Sequence, residues 1–133
     1  MIQFTLEEIR AVWYIHIGTN DILRRKEVTT VNHKIYSIDE IKSIVSPVAM
    51  RHNVGKVFLF GSYARGTASG TSDVDLCVDA SKLTGLFSLG ALYADLEDAL
   101  EKKLDLVTVR SLQYNRDKQF VENLRREQVL IYG

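Results

Sequence analysis

The chain of 133 residues has one cysteine, one proline and no excess charge of either sign, with 17 basic and 17 acidic side chains. Each shortage closes off a class of protein. A single cysteine, Cys77, forms no internal disulfide, so a disulfide-stapled secreted scaffold is excluded and a reducing, cytoplasmic setting is expected. A formal net charge of +0 supplies no overall positive field for phosphate backbones, so nucleic acid is not the expected partner. No apolar run approaches the ~20 residues of a membrane span, and the acidic start, Phe4 to Glu8, lacks the basic flank of a signal peptide, so no membrane association is expected. No internal repeat or low-complexity tract is present. What remains is an ordinary globular composition, 46% apolar and 26% charged, at a length that suits one domain with its own core.

Apolar spacing and capping residues divide the chain. Thr5 and Glu8 form a capping pattern ahead of Leu6, Ile9, Val12, Trp13 and Ile17, which predicts a helix over about 6–16. Val28 to Tyr36 mixes β-branched residues with Asn32 and Lys34 without a clean period and reads as a weak strand or arm. Ser37 and Glu40 make a second capping box, before a helix carrying Ile41, Ile44, Val45 and Val48 at i, i+3, i+4 and i+7, with a bend expected at Pro47. Val57 to Phe60 is a short continuous apolar run, as in a strand covered on both faces, and Val74 to Val78 reads as its neighbour. A helix over about 86–103 with Leu89, Leu92, Tyr93, Leu96 and Leu100 inward leads into a third strand, Leu104 to Val109. A last helix over about 115–127 and an edge strand, Val129 to Tyr132, complete the pattern. The class is α/β (α+β), a small sheet with helices packed on it.

The stretch GSYARGTASGTSDVDL, residues 61–76, carries the chemistry. Strand residues two apart share a face about 6.6 Å apart, so Asp73 and Asp75 project together and repel one another unless something cationic sits between them. Two divalent ions suit that spacing, and because the ligands are hard oxygens, magnesium is the candidate. Asp79 has the same parity but stands about 13 Å further along the strand and is expected to be solvated. Asp105 interrupts an apolar strand, a place that rarely tolerates a bare carboxylate. If its strand pairs beside Val74, Asp105 turns toward the other two acids and completes a three-carboxylate cage. Gly61 lets the backbone pass close to a ligand, Ser62 offers a hydroxyl, and a short helix starting there aims N–H groups at an anion such as a phosphate chain. Arg65, one turn on, reaches either the same phosphates or water.

Rival motifs fail on the same letters. Thr67 stands where a P-loop needs its lysine. A calcium loop needs an oxygen ligand at Cys77 and a glycine after it. His16, His33 and His52 show no ligand spacing and read as surface or helix-end histidines.

Phe60 to Leu76, with Gly61, Ser62, ten intervening residues and then Asp73, Val74 and Asp75, resembles the signature of the minimal nucleotidyltransferases of the DNA polymerase β superfamily. Asp105 falls where that family has its third carboxylate. The combination is far more specific than a lone Asp-x-Asp, no motif position departs from it, and the likeness covers about residues 37–132. The resemblance implies a nucleotidyltransferase-like mixed sheet over 37–133, with residues 1–36 as an N-terminal extension of helix plus arm. That extension is read as extra packing, with a cover for the site or a homo-oligomer contact as alternatives. It further implies transfer of a nucleoside monophosphate, AMP from ATP foremost, to an acceptor hydroxyl. In that reading Asp73 and Asp75 bridge two Mg2+ ions, Asp105 joins them at the ion that activates the acceptor and takes its proton, and Gly61, Ser62 and Arg65 hold phosphates. So short a domain leaves the site open, which suits an acceptor on a partner protein. Similar minimal bacterial proteins are antitoxins that attach AMP to a tyrosine of a helical HEPN ribonuclease toxin. The alternatives are transfer to a small hydroxylated compound and a non-catalytic module that blocks its partner sterically.

Overall fold

A computed structural model describes residues 32–133, so the helix expected over 6–16, His16 and the first part of the arm lie outside the described residues. The elements are α1 (Ile38–Arg51), β1 (Lys56–Phe60), α2 (Gly61–Arg65), β2 (Val74–Asp79), α3 (Gly85–Leu100), β3 (Leu104–Thr108), a 3-10 turn (Arg110–Tyr114), α4 (Lys118–Glu127) and β4 (Val129–Tyr132). The four strands form one sheet in the order β3-β2-β1-β4. β1 pairs antiparallel with both β2 and β4, and β2 pairs parallel with β3, which makes the sheet mixed.

Local chemistry sets the element ends. The Ser37 hydroxyl accepts from the Glu40 N–H at 3.1 Å while the Glu40 carboxylate accepts from the Ser37 N–H at 3.3 Å. This capping box satisfies two of the orphan donors that open α1, and such a cap contributes about 1 kcal/mol. Pro47 lies inside α1, which continues to Arg51. α3 stops at Leu100, earlier than the apolar period suggests, because Glu101 takes a left-handed φ of 52°. The strand that follows ends at Thr108, and Val109 already has helical angles as it enters the 3-10 turn. That turn occupies Arg110–Tyr114, so α4 begins only at Lys118, where the Asp117 carboxylate accepts from the Phe120 N–H at 3.0 Å. Residues 32–36 carry no regular secondary structure.

Strand alternation sends side chains to two faces with different covers. Val57, Leu59, Val74, Leu76, Val78, Leu104, Leu106 and Ile131 join Ile41, Val45 and Val48 of α1 and Leu92, Leu96 and Leu100 of α3 in the main core. The opposite face is smaller: Phe60 and Cys77 pack with Leu112, Val121 and Leu124 from the 3-10 turn and α4. Phe60 meets Phe120 edge to face, with ring centroids 6.0 Å apart. Cys77 is buried in this layer, and burial pushes its thiol up to about 11, so it serves as packing. The second face is where the acids lie.

Candidate active site

Register places the acids before any side chain is considered. Phe60 pairs with Asp75, and Asp75 pairs with Asp105 across the parallel β2–β3 ladder. The next row on the same face is Phe58, Cys77 and Val107, all apolar. The acid pair therefore ends an apolar face, at the edge that α2 and the start of β2 border. The Asp75 and Asp105 carboxyl groups are in hydrogen-bonding contact. Burial first, then the Asp105 charge and that shared contact, and more weakly Asp73, push Asp75 up to about 7, and Arg65 opposes them. Asp73 stands one residue before β2 and acts on Asp75 through space.

The three acids are thus brought to one place but not into a closed cage. Among the described residues no group of three or more His, Cys, Asp or Glu side chains is already arranged to hold a metal ion. What is present is the Asp75–Asp105 pair with Asp73 beside it. The donors are hard carboxylate oxygens, and two acids are held together against a repulsion that Arg65 opposes only weakly, so the residues fit a divalent ion of the magnesium type.

Gly61 has a more demanding role than a close approach to ligand. Its φ is +72°, and a Cβ there would stand 2.0 Å from Oδ2 of Asp75. Any side chain at 61 would collide with the acid that the sheet delivers, so glycine is required by both backbone angle and space. α2 starts at Gly61 itself, and Phe60 before it gives the first N–H groups of the helix no side-chain cap. Ser62 is the second residue of this turn, and its carbonyl accepts from the Gly66 and Thr67 N–H groups.

Arg65 is half-exposed and its guanidinium donates to Glu127 Oε2 at 3.0 Å, tying α2 to the end of α4. It does not simply reach water, yet it is close enough to lower Asp75. Asp79, expected to be solvated, sits at the far end of β2, where its carboxylate accepts from the Ser81 N–H at 3.1 Å. His52 ends α1 and bonds Asp95 Oδ2 at 2.6 Å, and His33 is exposed, in keeping with helix-end and surface roles.

Three residues without a signal in the sequence border the site. Glu127 holds Arg65, Lys102 bonds the Gly70 carbonyl in the loop before Asp73, and the Lys103 carbonyl accepts from the Val74 N–H just after it. Nothing marks them in the sequence, since all three lie in charged surface-like stretches.

A pH dependence follows from Asp75. Its carboxyl titrates near 7 in the folded chain and near ~3.9 when unfolded. The folded state therefore holds a proton that the unfolded state has lost, and this contribution to stability is full below ~3.9 and disappears as pH rises to about 7. Chelator-treated protein is expected to lose several degrees of Tm between pH 5 and pH 8, and added Mg2+ to reduce that loss. Calorimetry with and without Mg2+ across this range checks both.

Residues 42–133 match the family model described as polymerase beta, nucleotidyltransferase. A Methanocaldococcus jannaschii protein named as a candidate protein adenylyltransferase is 37% identical over 76 residues, which cover 57% of this chain and 82% of that protein. Protein adenylyltransferase MntA of Thermococcus cleftensis is 36% identical over 81 residues, 58% of this chain and 82% of the relative. Among solved structures, the complex of an MNT antitoxin with the tri-AMPylated HEPN toxin of Shewanella oneidensis superposes with a TM-score of 0.52. The match is 19% identical and covers 72% of each chain, a likeness of fold.

Proposed function

Because the chain belongs to the polymerase beta nucleotidyltransferase family, we propose that it transfers AMP from Mg-ATP to a hydroxyl of a helical partner protein, as the antitoxin of a HEPN-type ribonuclease toxin. The observation that carries this reading is the pairing of Asp75 with Asp105 across β2 and β3, with the glycine turn at Gly61 packed against the Asp75 carboxylate. The relatives' names supply the adenylyl group, and the solved HEPN complex supplies the kind of acceptor.

In this reading Asp73 and Asp75 would hold the divalent ions that accompany the triphosphate, and Asp105 would join them on the acceptor side. Held by these acids, divalent ions would offset the charge of the triphosphate and would make the acceptor hydroxyl more acidic. The first N–H groups of α2 and the Ser62 hydroxyl hold the β and γ phosphates, as helix starts favour anions. The acceptor oxygen forms a bond to the α phosphorus, the bond from that phosphorus to the bridging oxygen breaks, and pyrophosphate departs. Asp105 takes the hydroxyl proton. Arg65, steadied by Glu127, adds positive charge next to the phosphates.

The test mixes the chain with α-labelled ATP, Mg2+ and the product of the neighbouring gene. Label on a partner tyrosine, lost with EDTA and not given by labelled CTP or GTP, is the expected result. Protection of the partner without label, unchanged by Asp75→Asn, overturns catalysis in favour of steric blocking. Label appearing on a small hydroxylated compound instead overturns the protein acceptor.

A further inference from the structure

Lys102 is the one charged side chain that is buried among the described residues, with 7% of its surface exposed. Its ammonium donates to the Gly70 carbonyl at 3.0 Å and to the Asn32 carbonyl at 2.7 Å, and lies 5.8 Å from the centre of the Tyr36 ring. A buried ammonium is costly unless its donors are satisfied, so these two carbonyls are held where the lysine needs them. They belong to two segments with no other covalent reason to meet: the arm at 32–36 and the loop that joins α2 to β2.

The loop is braced by the same turn a second time. The Lys103 carbonyl accepts from the Val74 N–H at 3.0 Å. Gly70 and Val74 are thus fastened to adjacent residues of the α3–β3 turn, and between these anchors lies Asp73, the one acid of the site outside a strand. Inside the loop, Ser69 and Ser72 close a turn, with the Ser69 N–H donating to the Ser72 hydroxyl at 2.8 Å and the Ser72 N–H to the Ser69 carbonyl at 3.1 Å. Asp73 follows this turn directly.

The arm is packed to match. A Cβ on Gly70 would stand 2.5 Å from the His33 carbonyl oxygen, so the loop and the arm touch backbone to backbone. Asn32 donates to the Tyr36 hydroxyl at 2.8 Å, and that hydroxyl donates to the Leu100 carbonyl at 2.8 Å, at the end of α3. Tyr36 is part of the main core.

We propose that Lys102 is a positioning residue for Asp73, and that through the shared ammonium the N-terminal arm is a structural part of the site rather than an appendage. This inference rests on the reading of Asp73 as an acid that holds metal and nucleotide. Loss of the ammonium frees the loop and the arm together, while Asp75 and Asp105, fixed by the β2–β3 ladder, stay in place.

The experiment uses the full chain as wild type, Lys102→Met, Lys102→Arg and Gly70→Ala. Hydrogen exchange is followed by mass spectrometry without metal, and Mn2+ binding in the presence of ATP by electron paramagnetic resonance. Met keeps the apolar stem and removes both donations, Arg keeps donors, and the Gly70→Ala methyl group pushes the arm off the loop. Lys102→Met is expected to speed exchange in both 69–74 and 32–36, to leave β1, β2 and β3 protected, and to weaken Mn2+ binding about tenfold, the usual range for losing a residue that orients a ligand. Lys102→Arg restores part of that affinity, and Gly70→Ala reproduces the loosening of both segments. Unchanged exchange in the loop overturns the brace. A loosened loop with unchanged Mn2+ affinity overturns the positioning role. Wild type that binds no Mn2+ with ATP overturns the metal reading of Asp73 and with it the positioning role, and the exchange data then still report separately whether the brace exists.

Discussion

Asp75→Asn is expected to reduce nucleotidyl transfer by about 10^3-fold or more and, at neutral pH without metal, to raise the Tm. The two effects have one cause. Asp75 is half-buried, in contact with Asp105 and near Asp73, and its carboxyl is pushed up to about 7 because burial and two like charges oppose its ionisation. Asparagine keeps the shape and removes the charge, which relieves the repulsion on Asp105 and stabilises the metal-free fold. The same change removes a metal ligand, and a bound metal ion is worth several kcal/mol of transition-state charge stabilisation, with each 1.36 kcal/mol a factor of ten in rate. Asp105→Asn has the same signs. A variant that lowered both activity and stability would mean that the carboxylates serve the fold through a cation-independent bond, contrary to the account. Transfer assays and calorimetry on the same preparations decide it.

Gly61→Ala is expected to cost about 3 kcal/mol and to abolish transfer. The left-handed φ of +72° costs an alanine about 1–2 kcal/mol, and the new methyl group would meet Oδ2 of Asp75 at 2.0 Å. One of the two must move, and the ladder holds Asp75 at both sides, so the turn and the start of α2 give way. At about 4–8 °C per kcal/mol for a domain of this size, the Tm falls by more than about 10 °C. Adding Asp75→Asn to Gly61→Ala should recover little of this, since the asparagine fills the same space. Full recovery in the double variant would show that charge, not space, sets the requirement for glycine.

Much of the fold was legible because its signals are local. The Ser37–Glu40 capping box, the unbroken run Val57–Phe60 and the helical spacing of Leu89, Leu92, Leu96 and Leu100 each depend only on neighbours a few residues away. Asp105 was legible for a different reason: a carboxylate inside an apolar strand needs a partner, and that partner proved to be Asp75 on the adjoining strand. Its exact opposition to Asp75 was not legible, because a parallel register is set by how α3 crosses the sheet and not by any residue in β3. The same limit hid the second reason for Gly61, which comes from an acid fourteen residues on that antiparallel pairing folds back beside it. Arg65 read as a phosphate or solvent contact, since only the packing of α4 reveals Glu127. Lys102 was invisible for the plainest reason: in Glu101-Lys102-Lys103 it looks like any exposed helix end, and burial of a lysine between two carbonyls has no sequence pattern.

The arm shows how far such reading reaches. Val28 to Tyr36 had no clean period, and the described residues 32–36 have no regular structure. Yet Tyr36 enters the core, and Lys34 pairs with Glu40 of α1 at 2.6 Å. Irregular backbone with buried side chains leaves no periodic trace, so its role emerges only from contacts.

The proposed transfer requires the acids to meet around divalent cations at the start of β2 and β3. Counting Mn2+ ions bound per chain by electron paramagnetic resonance, with a non-hydrolysable ATP analogue present, addresses this directly. Two ions are predicted for the wild type and none at the same concentration for a chain carrying both Asp75→Asn and Asp105→Asn. Equal Mn2+ binding by the two proteins would contradict it.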